Sequence, residues 1–263
     1  MHNEDAVRSS SEGRNLTAQI VHELGRAIVT ERYPSGKPFP VEADLCRQYG
    51  ASRPVLREAV KMLAAKGLLA SRPRQGTTVR SEDQWNLLDP DVLRWILERK
   101  FSIDLLIEFT DTRLGIEPRA AALAAETATG RQRAQIIAAI DRMVAADKGD
   151  DDALSADIAF HVAVLNASNN RFLRQFTDLA ETTLRFSIRR TNEYKGVPRA
   201  SAEDHKRVAD AIMAGDATGA SREMYKLIEG ALNLLLSRGN PAKRRVAERT
   251  DRAAEKRKRG SDT

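Results

Sequence analysis

The apolar positions recur at helical spacing along nearly the whole chain, and proline and glycine break that pattern into segments. Residues 15–31 set Leu16, Ile20, Leu24 and Ile28 on one face at spacing four, which predicts an amphipathic helix ended by Tyr33-Pro34-Ser35-Gly36. A short helix over 41–49 should stop at Gly50. Ser52 is placed to cap a third helix with Pro54 in its first turn and Val55, Ala59, Val60 and Leu63 facing inward. Beyond Gly67 two short runs, 68–71 and 77–79, flank the basic turn Arg72-Pro73-Arg74-Gln75-Gly76 and predict a β-ribbon. Asp89-Pro90-Asp91 reads as a further helix start, with Val92, Trp95 and Ile96 as its stripe. From there six helices are expected, over 102–126, 131–147, 151–167, 171–193, 200–214 and 217–237, separated by Gly130, Gly149, Asn169-Asn170, Gly196-Val197-Pro198 and Gly215-Asp216.

Three short helices with a sharp turn between the second and third, followed by a β-ribbon, make a winged helix-turn-helix. The long helices have no strand partner and call for an antiparallel bundle. The expected fold class is therefore mainly α, an N-terminal winged helix-turn-helix joined to a C-terminal all-α antiparallel bundle. The division expected is a flexible tail over 1–14, the winged domain over 15–80, a linker and first helix over 81–100, the bundle over 101–237 and a basic, disordered tail over 238–263. Trp85 and Trp95 sit in the 81–100 segment and are expected to pack between the domains.

Composition supports a chain with a core: 41% of its 263 residues are hydrophobic and 30% charged. No apolar stretch approaches the roughly 20 residues that span a bilayer, and the N-terminus has no hydrophobic signal region, so neither a membrane partner nor Sec export is expected. The single cysteine, Cys46, has no partner for a disulfide or a paired-cysteine metal site, and a reducing cytoplasm is the expected compartment.

The net charge of +6 is unevenly spread. Residues 1–80 hold 13 basic and 8 acidic side chains, 81–237 hold 20 and 25, and 238–263 hold 10 and 4. A basic N-terminal segment suits a polyanion, and the acidic middle does not. The tail could serve as an auxiliary DNA-contacting arm or as a plain solvated end.

Double-stranded operator DNA is thus the expected partner of the first domain. Ser52, Arg53 and Arg57 lie in the opening turns of the third helix, where a helix in the major groove meets base edges, and arginine can pair bidentately with guanine. Arg74, Gln75 and the backbone of Gly76 form the wing tip and would meet phosphates or the minor groove.

Within the bundle, Asp157 and His161 are i and i+4 on one helix and project from one face, and His205 on a later helix can converge with them. A carboxylate with two imidazoles suits a divalent first-row metal, zinc first, with nickel, manganese or iron as alternatives. Arg113 and Glu117 form a second polar pair at the same spacing. From the residues alone the ordinary reading of each pair is a helix-surface contact. The same three ligands also allow a different reading, a metal-dependent enzyme of the non-haem iron type fused to a DNA-binding module.

Phe39-Pro40-Val41-Glu42-Ala43-Asp44-Leu45, Ser52-Arg53-Pro54-Val55-Leu56-Arg57-Glu58-Ala59, Gly67-Leu68 and Gly76 resemble the DNA-binding domain of the GntR family of bacterial regulators. Two positions depart from the family pattern. Val41 replaces the serine that would cap the second helix, at a cost of about 1 kcal/mol, and Ala43 stands where many members carry a DNA-contacting arginine. Asp157-Ile158-Ala159-Phe160-His161 with Asn170, and Glu203-Asp204-His205 with Ala214-Gly215-Asp216-Ala217, resemble the metal-binding segments of the all-helical FCD effector domain found in one branch of that family. The resemblance implies a ligand-responsive, dimeric transcription regulator and no enzymatic activity. It implies that Arg113 faces an effector cavity, where it would pair with a carboxylate effector such as a sugar acid, with Glu117 beside it. Arg185, Arg189, Thr191 and Ser201 are candidates for the hydroxyl groups. Metal-binding members carry a fourth ligand, a histidine, at the position of Leu227, so here a coordination position would stay open. The sugar-acid sensors of that branch make a repressor of a catabolic operon the expected role.

Overall fold

The computed structural model describes residues 2–72, 76–99, 102–192 and 201–238, and their side chains except those of 2–15, 72, 187–192 and 238. The chain divides into two compact units, Met1–Phe101 and Ser102–Thr263.

The first unit begins with α1 (His2–Val29), which starts at His2 where a flexible tail was expected over 1–14. No proline interrupts those residues, so the helix runs on into the amphipathic segment. Ile20, Leu24 and Ile28 are fully buried, as their spacing requires. Helix α2 (Glu42–Tyr49) has Val41 at its N-cap with no side-chain bond, and Gly50 closes it in the left-handed conformation at φ 60°. Helix α3 (Arg53–Ala65) buries Leu56, Ala59 and Leu63, so the inward face is rotated from the one expected, with Val55 and Val60 at its margins. Ser52 is the N-cap residue, but its hydroxyl makes no capping bond.

Strands β1 (Leu69–Arg72) and β2 (Gly76–Val79) pair antiparallel with Leu69 opposite Val79 and Ala70 opposite Thr78. The chain before α2 adds to the edge of β2: Phe39 N–H donates to Thr77 O at 2.7 Å, and Pro38 bridges Thr78. The ribbon is tied to α3 through Gly67, whose φ of 80° and whose absent Cβ, which would meet Gln84 O at 2.8 Å, leave no room for another residue.

Of the segment 81–100, expected as a linker and first helix, residues 81–99 fold as part of the first unit. A 3-10 turn (Glu82–Gln84) leads to α4 (Pro90–Arg99), which buries Val92, Leu93, Trp95, Ile96 and Leu97 and packs on α1. Trp95 Nε1 donates to His22 Nδ1 at 2.9 Å. Lys66 at the end of α3 reaches Asp89 at 2.8 Å and Asp91 at 2.9 Å, with its ammonium 5.8 Å from the Trp95 ring centre. Trp85 donates to Arg80 O at 3.1 Å. Both tryptophans therefore complete the core of the first unit.

The second unit is all helical among the described residues: α5 (Ile103–Thr127), α6 (Gly130–Lys148), α7 (Ala153–Ala167), α8 (Thr177–Asn192), α9 (Ala202–Ala214) and α10 (Ala217–Arg238). A 3-10 turn over Leu173–Phe176 delays α8 beyond its expected start at 171, with Asn170 Oδ1 accepting from the Phe172 and Leu173 amides. Helix α5 presents Ala120, Ala121, Ala124 and Ala125, all buried, so α10 and α9 can approach its backbone closely. Phe160, Val164, Ile136, Ile212, Met224 and Ile228 fill the space between these helices. Thr129 and Gln132 form a capping box at the start of α6. Arg133 then donates to the carbonyls of Ala125 in the last turn of α5, of Ala128 just beyond it, and of Ile212 and Met213 at the end of α9, neutralising two helix C-termini with one guanidinium.

Candidate functional site

In the first unit, Ser52, Arg53 and Arg57 are all exposed at the start of α3. Pro54 within the first turn supplies the pre-set φ that starts this helix, and the apolar face turned to α1 leaves the arginines outward. The Arg57 guanidinium lies 3.4 Å from Glu42 of α2, and both side chains remain largely solvated. Such a pair is worth little and can exchange for phosphate or base contacts. Gly76 opens β2 with φ 80°, whereas Arg74 and Gln75 lie outside the described residues. On the ribbon Ser71 and Thr77 face each other with their hydroxyls 2.9 Å apart.

In the second unit, Asp157, His161 and His205 are each at most 4% exposed, and a ligand atom from each lies within 4.8 Å of the other two. Asp157 and His161 sit on α7 one turn apart, and His205 reaches them from α9. Phe160 holds both rings edge-on, with centroids 5.5 Å from His161 and 5.0 Å from His205.

The hydrogen bonds fix which nitrogen of each ring faces inward. His205 Nδ1 is 2.9 Å from the Ser201 carbonyl oxygen, which can only accept, so Nδ1 carries a proton. His161 Nδ1 is 2.6 Å from Glu117 Oε2 and donates to it. The two Nε2 atoms turn toward the same oxygen, Asp157 Oδ1, at 2.9 Å from His205 and 3.7 Å from His161. At 2.9 Å the His205 contact is short enough for a hydrogen bond, yet Nε2 is buried with no properly aligned partner. In a neutral ring it is a lone pair facing a carboxylate, a contact that calls for a cation between the two.

Arg113 and Glu117 adjoin this group from α5. Arg113 Nε and Nη2 meet the two Glu117 oxygens at 2.5 and 3.3 Å. Nη2 also lies 3.2 Å from both ring nitrogens of His161. Since Nδ1 is already a donor, only the Nε2 lone pair can accept from it, a contact that a metal bound at Nε2 would replace. This is a buried charge network and not the exposed helix-surface pair that spacing alone allows. Burial raises the Glu117 carboxyl, but Arg113 and His161 outweigh it and hold the group well below the usual carboxylate range. Burial likewise raises Asp157, and the close contact with His205, with positive charge on the two rings when they are protonated and on Arg113, brings it below its ordinary value. Arg113, which burial alone would lower, is raised by Glu117.

A cavity of about 10 Å³ borders Arg113 and Glu117, walled by Phe109, Leu165, Phe176 and Ala180. That is about the space of one water, so a sugar acid can enter only if these side chains move. The weaker candidates are placed elsewhere. Arg185 is exposed and pairs with Glu181 at 2.7 Å. Ser201 is exposed, accepts from the Asp204 amide as the N-cap of α9, and serves His205 through its carbonyl. The side chains of Arg189 and Thr191 lie outside those described. Leu227 is half-buried and packs on the core. The link from Glu117 to His161 spans 44 positions, and no sequence pattern indicates it.

Comparison with known proteins agrees with this division. Residues 16–79 match the model of the bacterial regulatory proteins of the gntR family, and residues 108–230 match the FCD domain. The chain is 34% identical over 223 residues to the galactonate operon transcriptional repressor of Escherichia coli K12, covering 84% of this chain and 97% of that protein. It is 32% identical over 219 residues, 80% of this chain and 83% of the other, to an Escherichia coli K12 protein whose name assigns it provisionally to regulation of the L-lactate dehydrogenase operon. The solved structure of Lar, described as controlling expression of the Listeria monocytogenes agr system, shares the fold with a TM-score of 0.54 at 14% identity, covering 85% of this chain and 97% of that one. A DNA-binding unit with basic residues at the head of its third helix, joined to an FCD domain, makes this chain a transcription regulator of the GntR family, not an enzyme.

Proposed function

We propose that the protein represses a sugar-acid catabolic operon and leaves its operator when a hydroxy acid binds in the FCD unit beside a divalent metal held by Asp157, His161 and His205. The observation that carries this reading is the pair of imidazoles whose Nδ1 atoms are each tied to an acceptor while both Nε2 atoms face Asp157 Oδ1. Metal-ligating histidines are oriented in this way by their second nitrogen. One carboxylate and two imidazoles suit zinc, nickel, manganese or iron, and such an ion, when bound, would offer open positions to a carboxylate and its neighbouring hydroxyl. Leu227 adds no donor that would close them.

Arg113 supplies the second half of recognition. Its Nε and Nη2 are held by Glu117, and Arg113 lines the small cavity, so its remaining N–H groups would be the donors for an incoming carboxylate. Entry of the acid would require Phe109 and Phe176 to give way, and that movement is the local change the DNA-binding units of a homodimer would respond to. Coupling requires the effector to favour the state that releases operator. Two relatives point the same way, one named for galactonate and the other for lactate, both hydroxy acids. Ser52, Arg53 and Arg57 would meet base edges, while the wing tip at Arg74, Gln75 and Gly76 would meet phosphates or the minor groove.

The test is release of bound operator in a gel-shift titration with an aldonate, the matching neutral aldose, and acetate. Release by the aldonate alone is expected. Equal release by the aldose would remove the carboxylate contact, and no release by any sugar acid would contradict the reading.

A further inference from the structure

Glu117 was expected to touch the effector. Its two oxygens are instead committed to two other groups. Oε1 accepts from Arg113 Nε at 2.5 Å, and Oε2 accepts from His161 Nδ1 at 2.6 Å. The residue is 2% exposed and sits four positions from Arg113 on α5, while His161 comes from α7. We infer that Glu117 is a positioning residue that fixes the tautomer of the metal ligand His161 and, through its other oxygen, the aim of the effector-binding Arg113. This inference rests on the function proposed above and says how the metal and effector halves of the site are joined.

A neutral imidazole carries one proton. With Nδ1–H held by Glu117, the lone pair is on Nε2, the nitrogen turned toward Asp157. Without an acceptor at Nδ1, the proton could move to Nε2 and block it. His205 is fixed by a backbone carbonyl that no substitution removes, so His161 is the ligand whose orientation depends on a side chain. The same carboxylate neutralises Arg113, which would otherwise be an uncompensated buried charge 3.2 Å from His161 Nε2. A displacement of Glu117 at one partner is therefore felt at the other. The metal and the effector carboxylate should each bind more tightly in the presence of the other, by the same factor.

Removing Glu117 alone would strand Arg113 and could unfold the unit, so the test is made on a background without that charge. Arg113→Met, Arg113→Met/Glu117→Gln and Arg113→Met/Glu117→Leu are compared by cobalt(II) affinity against a chromogenic chelator, with melting followed by circular dichroism. Gln can accept the Nδ1 proton through Oε1, and Leu cannot. Loss of a group that orients a metal ligand costs about 10- to 100-fold in affinity. That loss is expected for the Leu variant, with most of it recovered by Gln. A role in packing alone would show no recovery, and equal cobalt affinity in all three would overturn the inference. Nitrogen-15 NMR of the wild-type, metal-free protein separates this from the function proposed above. His161 should carry its proton on Nδ1 whether or not metal binds, and a proton on Nε2 would overturn the inference directly. Absence of cobalt binding by the wild type would instead contradict the metal reading.

Discussion

His205 and Asp157 face each other across 2.9 Å with the proton of the imidazole on the far side, donated to the Ser201 carbonyl. The contact makes sense only with positive charge near it. Arg113 and Glu117 complete the balance, so the buried centre of the FCD unit is one network of charges and not separate pairs.

Acid should dismantle this network. Glu117 and Asp157 are both held below their ordinary values in the folded chain. A depressed carboxyl contributes stability above its unfolded value and loses it as pH falls toward its folded value. Denaturant unfolding of the chelated protein should therefore show lower stability below about pH 4, near the ordinary carboxylate range, and little change from pH 6 to 8 from these groups. The Arg113→Met/Glu117→Gln variant should show a smaller acid loss.

Gly25 lies in the interior of α1, where alanine is normally favoured by about 1 kcal/mol. Here a Cβ would overlap the ring of Trp95, which is 2% exposed and bonded to His22 and so cannot turn away. Gly25→Ala should destabilise the first unit by about 1 to 3 kcal/mol, seen as a lower midpoint by tryptophan fluorescence. A stabilised variant would show that α4 does not rest on α1.

Arg133 joins the ends of α5 and α9 by bonds to four carbonyls. Arg133→Ala leaves those acceptors to water and should cost about 2 to 4 kcal/mol, on the scale of one or two charge-assisted bonds. Urea unfolding measures it, and the DNA-binding unit should keep its own affinity for random DNA.

Arg57→Ala should cost about 1 to 3 kcal/mol on operator and little on random duplex, because a base contact distinguishes sequence. Arg74→Ala should weaken both alike. Fluorescence anisotropy on the two DNAs decides it, and equal losses for Arg57→Ala would make that residue a backbone contact.

The helices of the FCD unit were legible because apolar residues recur through each at helical spacing and Gly, Asn or Pro breaks separate them. The expected 102–126 and 217–237 match Ile103–Thr127 and Ala217–Arg238 to within a residue at each end. Asp157, His161 and His205 were legible as polar residues inside apolar patterns. Other features depend on contacts distant in sequence. Trp95 looks like a linker residue until α4 is seen to fold on Gly25 and His22. The pairing of Glu117 with His161 arises from the crossing of α5 and α7, which periodicity does not fix. Ser52 shows that a residue of the right type at an N-cap need not form the bond, since its exposed hydroxyl can be satisfied by water.

In the proposed function, Asp157, His161 and His205 hold the metal through which a hydroxy acid is recognised. Isothermal calorimetry of an aldonate into the full-length protein, first loaded with zinc and then stripped with chelator, tests it most directly. The acid should bind the loaded protein, cease to bind on stripping and bind again when zinc is added back, with no zinc-dependent binding in His205→Ala, which should still bind operator. Equal binding of the acid by the stripped and loaded proteins would contradict it and reduce the Asp/His cluster to a polar lining.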